Sequence, residues 1–168
     1  MSDLDELHGL FFEDLRIGQT AAYARTVTEA DIVLFAGISG DTNPVHINEE
    51  FASSTMFSGR IAHGMLTASL ISTVIGTRLP GPGAIYISQS LRFKAPVRIG
   101  DTVTARATVT DLLAEKRRAT IATVCTVKNK VVLEGEAVVM VPQRAAIHPQ
   151  AAVGAANGIA QRAAGADD

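Results

Sequence analysis

Tryptophan is absent from this sequence, cysteine occurs once, and aromatic residues make up only 5% of it. The lone thiol, Cys125, closes no intramolecular disulfide, so the fold stands without covalent staples and asks for no oxidising compartment. Charge is sparse too: Lys and Arg number 15 and Asp and Glu 17, for a net charge of −2. That balance supplies no clustered basic face of the kind nucleic acid demands. No uninterrupted apolar run reaches the roughly 20 residues of a membrane-spanning helix. The opening MSDLDELHGLFFEDL is acidic and lacks the basic stretch that precedes the apolar core of a secretory signal. The expectation is a cytoplasmic protein with neither nucleic acid nor membrane as partner. What is present is 168 residues, 47% of them hydrophobic, enough for one domain with a full core.

Local signals divide the chain. Ile17-Gly18-Gln19 marks a turn before a strand at about 20–27. Thr28-Glu29-Ala30-Asp31 has the form of a capping box, and apolar residues at helical spacing carry a helix to about Ile38. It stops at Ser39-Gly40-Asp41-Thr42-Asn43-Pro44, where Gly, Asn and Pro favour non-helical backbone. A second short helix is predicted with Asn48 as its N-cap. From Gly64 to about Leu79 runs a longer helix, apolar or small on every side, which predicts burial. Pro80-Gly81-Pro82-Gly83 ends it. Residues 84–141 read as antiparallel sheet: Val103, Ala105, Ala107 and Val109 alternate with polar neighbours, and Lys128-Asn129-Lys130 joins two β-rich runs. One buried helix followed by consecutive strands predicts an α+β domain over residues 1–142, a sheet wrapped around a helix. Residues 143–168 are Ala- and Gly-rich, with too few large apolar side chains to repay ordering, so a disordered, dispensable tail is expected.

Chemistry concentrates in Gly40-Asp41-Thr42-Asn43-Pro44-Val45-His46 and in His63-Gly64-Met65 at the start of the long helix. Pro44 fixes its own φ and restricts Asn43, so the loop can hold Asp41 and His46 toward one point. A carboxylate and an imidazole meeting on one water suit proton transfer near neutral pH. Gly64 sits where the first amides of a helix point outward with the positive end of the dipole behind them. Without a Cβ it lets a ligand carbonyl approach its N–H. Together these parts suit a reaction in which a thioester or similar carbonyl gains enolate character.

Asp-x-Asn-Pro-x-His, then His-Gly-Met, then Gln89-Ser90-Leu91-Arg92-Phe93-Lys94-Ala95-Pro96-Val97 with Gly100-Asp101, resembles the MaoC-like (R)-specific enoyl-CoA hydratases, over about 13–141. The family includes enzymes that feed polyhydroxyalkanoate synthesis. The resemblance implies a hot-dog fold, a homodimer joined through its sheets, and two tunnels that each accept an acyl-CoA. It implies syn addition of water to a trans-2-enoyl-CoA, giving (R)-3-hydroxyacyl-CoA, with CoA part of the substrate and no cofactor. Asp41 and His46 would be the catalytic pair. Gly64 would donate to the thioester oxygen, with Asn43 and His63 in the same oxyanion and substrate-binding set. Phe93 would line the pantetheine route, and Ser72 would support Asp41.

Plainer roles stand beside these. Asp41 can close an Asx turn, His63 can bond only to backbone, Ser72 can bond back along its helix, and Phe93 can be a core residue. Cys125 reads as a small buried hydrophobe. Asp41, His46 and His63 lack the tight spacing and fourth ligand of a typical metal site, so no metal is expected. Arg92, Lys94, Arg117 and Arg118 can meet CoA phosphates or simply be solvated. Rival functions are a thioesterase on the same fold, a non-catalytic acyl-CoA-binding module, and the same chemistry on acyl carrier protein. Acyl length is open.

Overall fold

The computed structural model describes residues 5–144. The period-two segments form one antiparallel sheet from β1 (Thr20–Thr26), β2 (Ile85–Phe93), β3 (Thr102–Leu113), β4 (Arg118–Val127) and β5 (Lys130–Met140), in the order β1-β3-β4-β5-β2. Alternation sets which face is dry: Val103, Ala105, Ala107 and Val109 are all sealed, while Thr102, Arg106 and Thr110 face out. The β4–β5 turn is tighter than the sequence suggests. Lys128 and Asn129 alone make it, both left-handed with φ of 48° and 66°, the geometry that matches the twist of paired strands.

The helices are α1 (Glu29–Ser39), α2 (Pro44–Ile47), α3 (Glu49–Ser53) and α4 (Gly64–Thr77). Thr28 and Asp31 form the predicted capping box of α1, and Asn48 Oδ1 accepts from Phe51 N–H to cap α3. Helix α4 lies on the dry face of the sheet, mainly across β3, where Ala105 and Ala107 let it sit close. Its Leu70, Ile71, Val74 and Ile75 pack with Ile121, Leu133 and Val139 into one core. Each such side chain contributes roughly 1.5–3 kcal/mol when buried. This is the hot-dog arrangement, a sheet curled around one helix.

Two expectations change. The Asn-Pro loop is partly helical, because Pro at the first helical position is pre-set in φ and starts the turn α2. Helix α4 is not buried all round: Met65, Ser69, Ser72 and Gly76 form an exposed stripe. At the far end Arg144 pairs with Asp14 at 2.8 Å and lies over the Phe11 ring, so the described chain stays docked just past Pro142. The tail expected to be disordered lies, from residue 145 on, outside the described residues. Among the described residues no helix is long and apolar enough to cross a membrane.

Candidate active site

Gly40 ends α1 in the left-handed conformation, φ 76°, and turns the chain back toward the core. Ser39 Oγ then accepts from Asp41 N–H at 3.2 Å, and Asp41 Oδ1 accepts from Asn43 N–H at 3.2 Å. Asp41 therefore does close an Asx turn, but its carboxylate is exposed and faces a cavity. Asn43 Oδ1 accepts from Val45 N–H at 3.2 Å, which caps α2.

That single helical turn carries His46, 8% exposed, into the site. Its Nδ1 lies 2.8 Å from Ile61 C=O. A carbonyl only accepts, so Nδ1 bears a hydrogen, and in the neutral imidazole Nε2 is the acceptor. His63, 1% exposed, points Nε2 at Asp41 C=O, 2.9 Å away. Its ring and that of His46 stack with centroids 3.9 Å apart. One imidazole thus touches both members of the pair, tethering the backbone of one and supporting the ring of the other.

Arg60 braces this arrangement from outside. Its guanidinium forks onto both Glu29 oxygens at 2.8 and 2.6 Å and reaches Glu49 at 3.3 Å, joining α1 and α3 to the segment leading into α4. The Arg60 hydrogen bonds hold the Glu29 carboxyl below its ordinary range; Glu49 is lowered likewise. Exposed pairs of this kind stabilise little individually, so positioning is their main effect.

Gly64 opens α4. Thr67 N–H is the first to bond within the helix, to His63 C=O at 3.2 Å, which leaves the Gly64, Met65 and Leu66 amides unspent by the helix. The Phe93 ring presses on Gly64 so closely that an added Cβ would meet its Cε1 at 2.7 Å. Asp41, His46, His63, Gly64, Thr67 and Phe93 line one cavity of about 560 Å³, walled otherwise by apolar side chains such as Phe57 and Val132. Lys94 also lines it, and is paired with Glu134 at 2.8 Å.

Five of the residues expected at the site converge; two do not. Asn43 does not line the cavity, because its side chain is used as a helix cap. Ser72 is exposed on the open stripe of α4 and makes no hydrogen bond to Asp41 within the described residues. His63 takes the backbone-bonding role: its Nε2 is spent on Asp41, and its Nδ1 is sealed without a partner. Thr67 is a polar cavity-lining residue that the sequence reading did not single out. Its signal was available, since a residue three past Gly64 shares the same helix face. Asp41, His46 and His63 also form a group whose potential metal-ligand atoms all lie within 4.8 Å of one another. Cys125 is fully buried, and burial pushes its thiol up to about 12.

Known proteins share this layout. A family model described as MaoC like domain matches residues 15–134. The (R)-specific enoyl-CoA hydratase of Rhodospirillum rubrum is 64% identical over 140 residues, 83% of this chain and 97% of that protein. The 3-hydroxybutyryl-CoA dehydratase of Methylorubrum extorquens is 53% identical over 148 residues, 88% of this chain and 94% of that protein. Among solved structures, the (R)-hydratase from Aeromonas caviae involved in PHA biosynthesis aligns with a TM-score of 0.75 at 44% identity, covering 77% of this chain and 99% of that one. The matched residues run from just before β1 into the first half of β5 and contain the whole cavity-bearing segment; the chain belongs to the MaoC-like domain family.

Proposed function

We propose that this chain hydrates trans-2-enoyl-CoA to (R)-3-hydroxyacyl-CoA, reversibly and by syn addition, with Asp41 and His46 as the acid–base pair. The observation that carries this is the state of His46. With Nδ1–H given to Ile61 C=O, its Nε2 is an acceptor in the same cavity as the Asp41 carboxylate. Two acceptors can hold one water by its two hydrogens. On attack the water oxygen bonds to the β-carbon and keeps one hydrogen as the new hydroxyl. The other proton passes through the pair to the α-carbon. Between these events negative charge sits on the thioester oxygen, where the Gly64 amide can meet it. An amide so placed is worth about 3–4 kcal/mol, and acid–base assistance about 10²–10⁴-fold.

The pair needs no separate cofactor, since base, proton route and oxyanion donor all come from the chain. Proton transfer suits the Asp41–His46–His63 group better than metal binding, because His63 Nδ1 is sealed and its ring is stacked on that of His46. A thioesterase would have no use for a second acceptor fixed beside the carboxylate. The working unit is a homodimer: β2 is a free sheet edge that exposes Ile85, Tyr86 and Ile87, and the cavity is open in the single chain. The A. caviae relative suggests supply of (R)-3-hydroxyacyl units to polyester synthesis as the physiological use.

Crotonyl-CoA is the first substrate to test, since the M. extorquens relative is named for a 3-hydroxybutyryl thioester. Enoyl absorbance should fall without release of free thiol. Coupling the product to an (S)-specific 3-hydroxyacyl-CoA dehydrogenase with NAD should give little NADH. Stoichiometric NADH would mean the (S) product, and thiol release would mean a thioesterase.

A further inference from the structure

Helix α4 carries five side-chain hydroxyls, and the structure treats them differently. Ser69 donates to Leu66 C=O at 2.6 Å, Thr73 to Ser69 C=O at 3.2 Å and Thr77 to Thr73 C=O at 2.7 Å, the ordinary use of a hydroxyl in a helix. Ser72 is exposed, where water serves it. Thr67 is the most buried, 3% exposed, and its hydroxyl bonds to nothing among the described residues. Nor is its oxygen sealed: the one enclosed side-chain nitrogen or oxygen without a partner among them is His63 Nδ1. Thr67 lines the catalytic cavity, one helical turn beyond Gly64.

A hydroxyl that opens only on the cavity and bonds to no protein group does nothing for the fold, because valine has the same shape without it. Such a group asks for a partner that arrives. Helix side chains tilt toward the N-terminus, so a residue at this position leans over the turn that presents the Gly64 amide. Most of the surrounding wall is apolar, and the other polar side chains there are charged or imidazole.

We infer that Thr67 is a substrate-binding residue: its hydroxyl donates to the carbonyl oxygen of the bound acyl thioester, as a second donor beside the Gly64 amide. The inference rests on the hydratase reading for the identity of the ligand. It explains why the hydroxyl ignores the helix carbonyls that Ser69, Thr73 and Thr77 use. A donor held ready there costs no reorganisation when charge develops on the thioester oxygen.

The test compares Thr67→Val and Thr67→Ser with wild type in three measurements: crotonyl-CoA hydration, calorimetric binding of butyryl-CoA, a saturated analogue that cannot react, and thermal melting. Thr67→Val should lower kcat/KM and weaken butyryl-CoA binding, each about 10-fold, while melting at the wild-type temperature or above. Thr67→Ser keeps the donor and should stay within about 3-fold on both readouts. Unchanged binding and turnover in Thr67→Val would overturn the inference. So would equal losses in both variants, which would assign the effect to the lost methyl or β-branch, or a lower melting temperature with normal binding, which would mark a structural hydroxyl. A wild type that binds butyryl-CoA but leaves crotonyl-CoA intact sinks the hydratase reading alone, and the binding arm still judges Thr67.

Discussion

Replacing Gly64 by alanine adds one methyl group where the Phe93 ring already presses on the cavity wall. The new Cβ would stand 2.7, 3.0 and 3.1 Å from Cε1, Cδ1 and Cζ of Phe93. Carbon pairs sit comfortably at about 3.5–4.0 Å, so the ring must retreat by about 1 Å. Phe93 is 54% exposed and lines the cavity, so its ring can yield, and any movement reshapes that cavity. The fold should survive. Alanine gains about 0.5–1 kcal/mol over glycine in a helix, and overpacking costs about 1–3 kcal/mol, which leaves a small net loss. Catalysis should suffer far more, because the methyl stands beside the amide assigned to the thioester oxygen and the ring shifts in the substrate's path. Loss of one oxyanion donor lowers kcat by about 10²–10³. The assay is crotonyl-CoA hydration with a thermal melt of the same sample. Adding Phe93→Ala to Gly64→Ala, and testing it alone, completes a double-mutant cycle. Rescue would blame the ring, and no rescue would blame the methyl itself. A Gly64→Ala protein with near-wild-type turnover would refute the placement of the thioester at this amide.

Asp41→Asn and His46→Gln should each cut hydration by about 10²-fold or more with melting nearly unchanged, since each keeps its shape and loses a proton-transfer role. Near-normal turnover in either would remove that residue from the pair. His63→Gln, whose amide nitrogen can reproduce Nε2–H, should retain more kcat than His63→Leu at similar KM, because the tether is to the Asp41 backbone; equal activities would leave the tether without a catalytic role. Light scattering should find a dimer, and a fully active monomer would show that the exposed β2 edge is not an interface.

Much of the fold was legible because its determinants are local. The Thr28–Asp31 box, the Asn48 cap and the alternation of β3 depend on backbone sterics and hydrogen bonds within a few residues, and the structure reproduces them. The Asp41–His46 stretch was legible for the same reason: Gly40 admits a left-handed φ and Pro44 fixes its own wherever they occur, and six consecutive residues bring both side chains to one cavity. Tertiary packing decided what each side chain is for. His46 has Nε2 as its acceptor only because Ile61, 15 residues on, presents a carbonyl to Nδ1, and His63 became a tether because Asp41 C=O, 22 residues back, stands within reach of its Nε2. A residue pattern holds no record of such partners. Asn43 went to a helix cap and Ser72 to an open stripe for a related reason: helical periodicity says which residues share a face, but the curvature of the sheet selects the face that is covered. Thr67 differs from Thr73 and Thr77 by position alone, and only the packed helix turns that difference into an unspent hydroxyl in the cavity.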